Sequence, residues 1–237
     1  MCLALIQKQN ASKLSDAQIK TAFNNNNDGC GIAYVNNGYL RVKKYMNVND
    51  AVIGYNDIYD SFNKKSHIMI HFRIGTHGAK SMYNVHPFMV NDKLAFCHNG
   101  IINRVQNCNK RSDTRVFNDE VLKFLPNRFI HNASIIKLIS DFIGHSKLIF
   151  LNSDNQFKIV NEKMGHWVEK TWFSNSSYKS NVFDFGGYSK PTTKTAQQCK
   201  FSFNDFDDID DSNIYYQKPK TKKTRYTLDK CEKCNVY

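Results

Sequence analysis

The order of strand-like and helix-like segments is the feature that most constrains the fold of this 237-residue chain. Short apolar runs come first and last, and the two strongest helical patterns lie between them. This order is typical of an α+β domain in which sheets and helices form layers, and it differs from the strict strand–helix alternation of a parallel sheet. The chain is 41% hydrophobic, so it can build a core of the size that such a domain needs.

Local signals predict eight strands and four helices. Ser15 with Gln18 forms a capping box, and Asn36-Asn37-Gly38 is a hairpin signal. Pro126 and Gly144 end the two strongest helical patterns. The predicted helices are 15–23, 50–62, 113–125 and 134–143, and the predicted strands are 2–7, 32–35, 39–43, 68–74, 94–98, 148–151, 157–160 and 167–173.

The cysteines and the apolar runs indicate the compartment. The seven cysteines are odd in number and irregularly spaced, so no disulfide framework is predicted and a reducing, cytoplasmic setting is favoured. No apolar run reaches the roughly 18 residues of a membrane span. The start, MCLALIQKQN, has no basic segment before its apolar run, so a signal peptide is not predicted.

The composition changes near Ser189. We expect a domain over residues 1–188 and a polar, charged tail over 189–237 that is partly disordered or folded over the domain surface. The net charge of +12 permits nucleic acid as a partner, and lysines scattered over a solvated surface explain it as well. Cys231 and Cys234 are half of a zinc site, but with no second pair nearby we expect no metal and no cofactor.

Four short stretches carry residues suited to chemistry, and each also has an ordinary structural explanation. Cys2 fits a buried strand as a small apolar residue. Arg73 could form a surface ion pair, Asn99-Gly100 could be a hairpin turn, and Asp113 could be only a helix N-cap. The stretches are Cys2, His71–Gly78 (HFRIGTHG), Cys97–Asn103 (CHNGIIN) and Ser112–Thr114 (SDT).

Together these residues form a consistent catalytic set. A thiolate attacks an amide carbonyl, and the α-amine of residue 2 would be a base attached to the same residue if Met1 were removed. An Asn side-chain amide and a Gly backbone N–H can stabilise the oxyanion that forms. A glutamine-like substrate also needs a guanidinium for its carboxylate and a carboxylate for its ammonium, and Arg73 and Asp113 are of those types.

The motifs and their order resemble the glutaminase domain of the class II glutamine amidotransferases, within the N-terminal-nucleophile hydrolases. The resemblance covers about residues 1–178. Its motifs are the Met-Cys start, NDGCGIA at 27–33, HFRIGTHG at 71–78, NVHPF at 84–88, HNGIIN at 98–103 and SDT at 112–114.

The resemblance implies a fold, a reaction and roles for the matching residues. The fold would be a four-layer αββα sandwich. Cys2 would attack the glutamine side-chain amide through a γ-glutamyl thioester, with its own α-amine as base. The oxyanion hole would be formed by Asn99 and Gly100. The substrate-binding residues would be Arg73, Thr76, His77 and Asp113.

Two features depart from the family pattern. Leu3 stands where the family commonly has Gly, which could reshape the pocket floor. About 59 residues follow residue 178, too few and too polar for the second domain that usually consumes the ammonia. We therefore expect a separate ammonia-accepting enzyme as partner. The alternatives are a stand-alone γ-glutamyl amide hydrolase and a non-catalytic module that binds nucleic acid.

Overall fold

The computed structural model describes residues 2–75, 79–105 and 111–179. Thr76, His77 and the predicted tail, with Cys231 and Cys234, lie outside the described residues. Within the described ranges the helices are α1 (Asp16–Asn25), α2 (Val48–Phe62), α3 (Asp113–Glu120) and α4 (Ala133–Ile143). The strands are β1 (Leu3–Gln7), β2 (Cys30–Asn36), β3 (Tyr39–Tyr45), β4 (Ile68–Phe72), β5 (Phe88–Asn91), β6 (Leu94–Asn99), β7 (Lys147–Asn152), β8 (Phe157–Val160), β9 (His166–Val168) and β10 (Thr171–Phe173).

The strands form two antiparallel sheets. The first sheet has six strands in the order β3-β2-β4-β1-β10-β9, and the second has four in the order β5-β6-β7-β8. In the first sheet, β1 lies between β4 and β10, so the start of the described chain is held on both sides. The fold is therefore a mixture of helices with two antiparallel sheets, as the α+β prediction requires. The four-layer arrangement stays a prediction.

Three groups of buried side chains make up the core. One combines α1 and α2 with the first sheet and includes Tyr55 and Phe72. A second combines α3 and α4 with the second sheet and includes Phe117 and Phe150. The third contains side chains from both sheets, such as Trp172. Period-two alternation along the strands divides their side chains between these groups.

The structure confirms the capping and hairpin predictions. The capping box at Ser15 is formed in full, and α4 ends as predicted, with Gly144 as its C-cap. The side chain of Asn132, which was not predicted as a cap, caps the start of α4. The strands β2 and β3 pair as a hairpin across Asn37 and Gly38, both of which have positive φ.

Two element predictions are wrong in extent. The helix predicted to run to Leu125 ends at Glu120, because Val121 leaves helical geometry and a short 3-10 turn brings Leu122 into the core. The single strand predicted over 167–173 is two paired strands, β9 and β10, because the chain turns at Glu169, which has a φ of 50°. The strand β5 was not predicted.

Two further predictions concern membrane spans and the domain boundary. Among the described helices, none has the length and apolar character needed to cross a membrane. The described residues belong to one compact unit, Met1–Gly186. The predicted boundary at 188/189 falls outside the described residues and stays a prediction.

Candidate active site

A cleft lies where strands of both sheets end. Leu3 is paired with Phe72, so the next residues outward, Cys2 and Arg73, leave the sheet side by side. Strand β6 of the second sheet ends at Asn99, directly before Gly100. The residues lining the cleft are Cys2, Arg73, Ile74, Gly75, His86, His98, Gly100, Ser112, Asp113 and Thr114.

The structure thus brings four of the predicted site residues into one cleft. Cys2, Arg73, Gly100 and Asp113 all line it, although they come from four separate stretches of sequence. Asn99 is fully buried next to Cys2 and is not among the lining residues. The predicted pocket residues Thr76 and His77 fall in the part of the chain that is not described, and they stay predictions.

The Cys2 thiol is held by the backbone of Ile74. Its Sγ donates to the Ile74 carbonyl at 3.3 Å and accepts from the Ile74 N–H at the same distance. Burial raises the pKa of the Cys2 thiol, and Asp113 raises it further. The Ile74 contact and the charge of Arg73 act in the opposite direction but do not reverse the shift. The thiol is therefore positioned, but it needs a base to become a nucleophile.

Two side-chain amides hold the Cys2 carbonyl. Nδ2 of Asn99 donates to this oxygen at 2.5 Å, and Nδ2 of Asn175 donates to it at 2.7 Å. Asn99 Nδ2 also donates to Ser174 Oγ at 2.5 Å. No sequence pattern predicts a role for Ser174 and Asn175, because their place beside Cys2 depends on the pairing of β1 with β10.

Only glycine fits at position 100, because of the backbone conformation there and the neighbouring residue Ser146. Its φ is +140°, which side chains rarely adopt. A Cβ at this position would lie 2.1 Å from Ser146 Oγ and 2.9 Å from Ser146 Cα. The backbone of Gly100 therefore packs against Ser146, the residue before β7, and Asn99-Gly100 is not the two-residue hairpin that the dipeptide could have indicated.

The guanidinium of Arg73 lies inside the cleft, not on the surface. Arg73 is 3% exposed. A Cβ added at Gly75 would lie 3.0 Å from the guanidinium carbon of Arg73. Gly75 in turn donates its N–H to Asp28 Oδ2 at 2.7 Å. Burial alone would raise the pKa of Asp28, but this hydrogen bond and the ion pair with Lys80 hold it below its usual range. Asp28 therefore remains an anion that fixes the loop against the guanidinium.

Asp113 is oriented by backbone donors. Its Oδ2 accepts from the Ile102 N–H at 2.8 Å, and its Oδ1 accepts from the Thr114 N–H at 2.7 Å. The N-cap of α3 is Ser112, whose hydroxyl oxygen accepts from Arg115 N–H. Asp113 is therefore not the cap, and its carboxylate faces the cleft together with the opposite charge of Arg73.

Three buried histidines adjoin the cleft, and two of them, His86 and His98, are among its lining residues. His71 Nε2 is 3.0 Å from the His98 carbonyl, which can only accept, so this nitrogen carries the proton. His86 Nδ1 is 3.1 Å from His71 Nε2, and His98 Nδ1 is 2.8 Å from Thr114 Oγ1. Burial lowers the pKa of all three, to about 3 for His71, so all are neutral at pH 7.

These histidines do not form a metal centre. Within the described ranges, no group of three or more His, Cys, Asp or Glu side chains could hold a metal ion. Their contacts instead join β4 of the first sheet to β6 of the second through the His71–His98 hydrogen bond.

The chain is similar to proteins of known structure. No family model and no curated protein matches the chain. Eighteen chains of solved structures do match it. One is the glutamine phosphoribosylpyrophosphate amidotransferase of B. subtilis, complexed with ADP and GMP, with 16% identity and a TM-score of 0.48. The match covers 73% of this chain and 41% of that one, so this chain spans less than half of its length.

The packing at Gly100 predicts a difference between two glycine substitutions. Gly38→Ala places alanine at a φ of +76°, at a cost of about 1–2 kcal/mol. Gly100→Ala places it at a φ of +140°, a region nearly restricted to glycine, at a cost of about 1–3 kcal/mol. Only at Gly100 would the methyl group also overlap Ser146, which adds about 1–3 kcal/mol. Chemical denaturation should show the larger loss for Gly100→Ala, with part of it recovered by adding Ser146→Gly. Equal losses for the two single variants would contradict the close packing.

The buried histidines predict acid sensitivity. Their pKa is lower in the folded chain than in the unfolded one, so their stabilisation is complete above about pH 6.5 and is lost as the pH falls below it. Each histidine should contribute a slope of up to about 1.4 kcal/mol per pH unit. Urea denaturation between pH 7.5 and 5 measures this. His145→Gln, at an exposed histidine, should leave the profile unchanged; a flat wild-type profile would contradict the prediction.

Proposed function

We propose that the protein hydrolyses the side-chain amide of glutamine, using Cys2 as the nucleophile. The observation that carries this proposal is the cleft itself. It combines a thiol, a buried guanidinium, an oriented carboxylate and a glycine backbone at strand ends of both sheets. A thiol alone would be unspecific, but the fixed positive and negative charges match the two ends of a free amino acid.

The reaction follows from the chemistry of these groups. The Cys2 thiol gives its proton to a base as the sulfur adds to the amide carbonyl carbon, and the oxyanion accepts hydrogen bonds from the Asn99 side chain and the Gly100 N–H. The carbon–nitrogen bond then breaks and ammonia leaves with a proton from the base. Water hydrolyses the resulting γ-glutamyl thioester to glutamate and regenerates the thiol.

The base would be the α-amine of Cys2 after removal of Met1. Before that removal the nitrogen of Cys2 is an amide, which cannot accept a proton at neutral pH. The raised pKa of the buried thiol makes such a base necessary. A free ammonium on the same residue would also lower the pKa of the thiol by its charge.

The substrate contacts divide between the two charged residues. Arg73 would bind the α-carboxylate and Asp113 the α-ammonium. Thr76 and His77 would complete the pocket. We further propose that the helices and sheets form the four-layer αββα sandwich, which the three core groups support. The ammonia would pass to a separate enzyme.

A cleavable N-terminal extension tests the nucleophile and the base together. Before cleavage we expect no glutamine hydrolysis and no adduct with a glutamine-analogue electrophile. After a protease exposes Cys2 as the first residue, hydrolysis should rise by about 10²-fold or more, and intact mass spectrometry should show one adduct on Cys2. Cys2→Ala, cleaved in the same way, should stay folded, inactive and unlabelled.

The other outcomes of this test identify the alternatives. Equal hydrolysis before and after cleavage would refute the α-amine as base, and activity in Cys2→Ala would refute the nucleophile. Hydrolysis of a larger γ-glutamyl amide but not of glutamine would identify a stand-alone hydrolase. A salt-sensitive complex with nucleic acid and no adduct would identify a binding module.

The carboxylate contact predicts a selective effect on substrate binding. Arg73→Lys keeps the charge but loses bidentate pairing, so the KM for glutamine should rise by about 10-fold or more while kcat changes less. Arg128→Lys is the matched control, since Arg128 is exposed and is not among the residues that line the cleft, so this variant should keep the wild-type KM. An unchanged KM in Arg73→Lys would remove Arg73 from the role of carboxylate contact.

A further inference from the structure

The Cys2 carbonyl accepts two hydrogen bonds from opposite parts of the chain. One comes from Asn99 at the end of β6, and the other from Asn175 just after β10. A carbonyl oxygen has two lone pairs, so these donors satisfy it fully. The arrangement places two amide groups on the backbone of the proposed nucleophile.

The Asn99 amide has no spare hydrogen in this arrangement. Its nitrogen carries two hydrogens, and they go to the Cys2 carbonyl and to Ser174 Oγ, each at 2.5 Å. Ser174 is itself fixed, because its Oγ accepts from the Ala4 N–H and its own N–H donates to the Ala4 carbonyl. For Asn99 to donate to an oxyanion, one of its two hydrogen bonds must be given up.

The side chain of Asn175 is held in place by Ser177. Its Oδ1 accepts from the Ser177 N–H at 3.0 Å and from the Ser177 hydroxyl at 2.8 Å. These two contacts fix the plane of the amide and aim its Nδ2 at the Cys2 carbonyl. Asn175 therefore remains as a donor to this oxygen if the Asn99 hydrogen is withdrawn.

We propose that Asn175 is a positioning residue that keeps the Cys2 carbonyl hydrogen-bonded while Asn99 turns one N–H to the oxyanion. The inference rests on the proposed function, since it assigns Asn99 to the oxyanion. Without Asn175, the release of Asn99 would leave the carbonyl of the nucleophile without its donors. That cost would be added to the barrier for the chemical step and not to substrate binding.

Two substitutions at Asn175 separate the donor from the rest of the side chain. Asn175→Ala removes the donor and the Ser177 contacts. Asn175→Asp keeps the shape and the acceptor for Ser177 but loses the N–H, which a protonated carboxyl group would replace. The matched control is Asn25→Ala, because Asn25 Nδ2 donates to the Ser177 carbonyl at 2.8 Å and so anchors the same segment without touching Cys2.

The kinetic result expected is a loss in kcat. Both Asn175 variants should lower kcat by about 10-fold or more, with KM within about 3-fold of wild type, less than the loss of an oxyanion donor itself. The ratio of Asn175→Asp to wild-type kcat should rise as the pH is lowered from 8 to 5, while that of Asn175→Ala stays constant. Asn25→Ala should match wild type, and thermal melting should show that all variants are folded.

A second readout does not depend on glutamine. Iodoacetamide alkylation of Cys2, followed on its peptide by mass spectrometry, should be faster by about 3-fold or more in Asn175→Ala, because a loosened Cys2 is less buried. Asn25→Ala should alkylate at the wild-type rate. Faster alkylation with slower turnover indicates lost positioning and not lost folding.

The two readouts distinguish failure of this inference from failure of the proposed function. If the wild-type protein, with Cys2 first, hydrolyses no glutamine, the proposed function fails, and the alkylation contrast still tests the positioning of Cys2. If wild type is active and Asn175→Ala keeps its kcat and alkylation rate, the inference is overturned. Equal losses in Asn175→Ala and Asn25→Ala would also overturn it, since they would show only that the segment is anchored.

Discussion

The antiparallel pairing of β1 with its two neighbours is the constraint on which the site depends. Pairing with β4 puts Cys2 beside Arg73, and pairing with β10 puts Ser174 opposite Ala4 and Asn175 next to the Cys2 carbonyl. A slip of one residue in either pairing would turn the side chains of β1 to the other face of the sheet and separate these groups. The fully buried apolar residues of β1 prevent such a slip, so the packing of the core also sets the geometry of the cleft.

The register of the second sheet positions Asn99 and Gly100. Pairing of Asn99 with Lys147 brings Gly100 against Ser146, and the His71–His98 hydrogen bond fixes β6 relative to β4. The rings in this connection are neutral, because burial lowers the pKa of both. Neutral rings suit a position near the buried Arg73, since a second cation there would be desolvated beside a charge of the same sign.

The sequence could predict the parts of this structure that local chemistry specifies. Ser15 located the start of α1 and Gly144 the end of α4, and the motif order grouped Cys2, Arg73, Gly100 and Asp113, which the structure places in one cleft. It could not predict the end of α3, where burial of Leu122 outweighs helix continuation. Nor could it find Asn175, because the run 167–173 reads as one strand, and the turn at Glu169 reverses it before the chain reaches Cys2.

The charges of the cleft bear on which amides the proposed reaction would accept. Arg73 and Asp113 are 3% and 6% exposed, so neither can be solvated in the way a surface charge is. A substrate with both an α-carboxylate and an α-ammonium would pair with both residues. An amide lacking the ammonium would leave Asp113 without a cationic partner in a desolvated site, with only the N–H groups of Ile102 and Thr114 and the Thr114 hydroxyl as donors. Leaving a buried charge without its partner is costly. Selectivity for a free amino acid would then come chiefly from rejecting substrates that leave one of these charges unpaired, and less from the fit of the side chain.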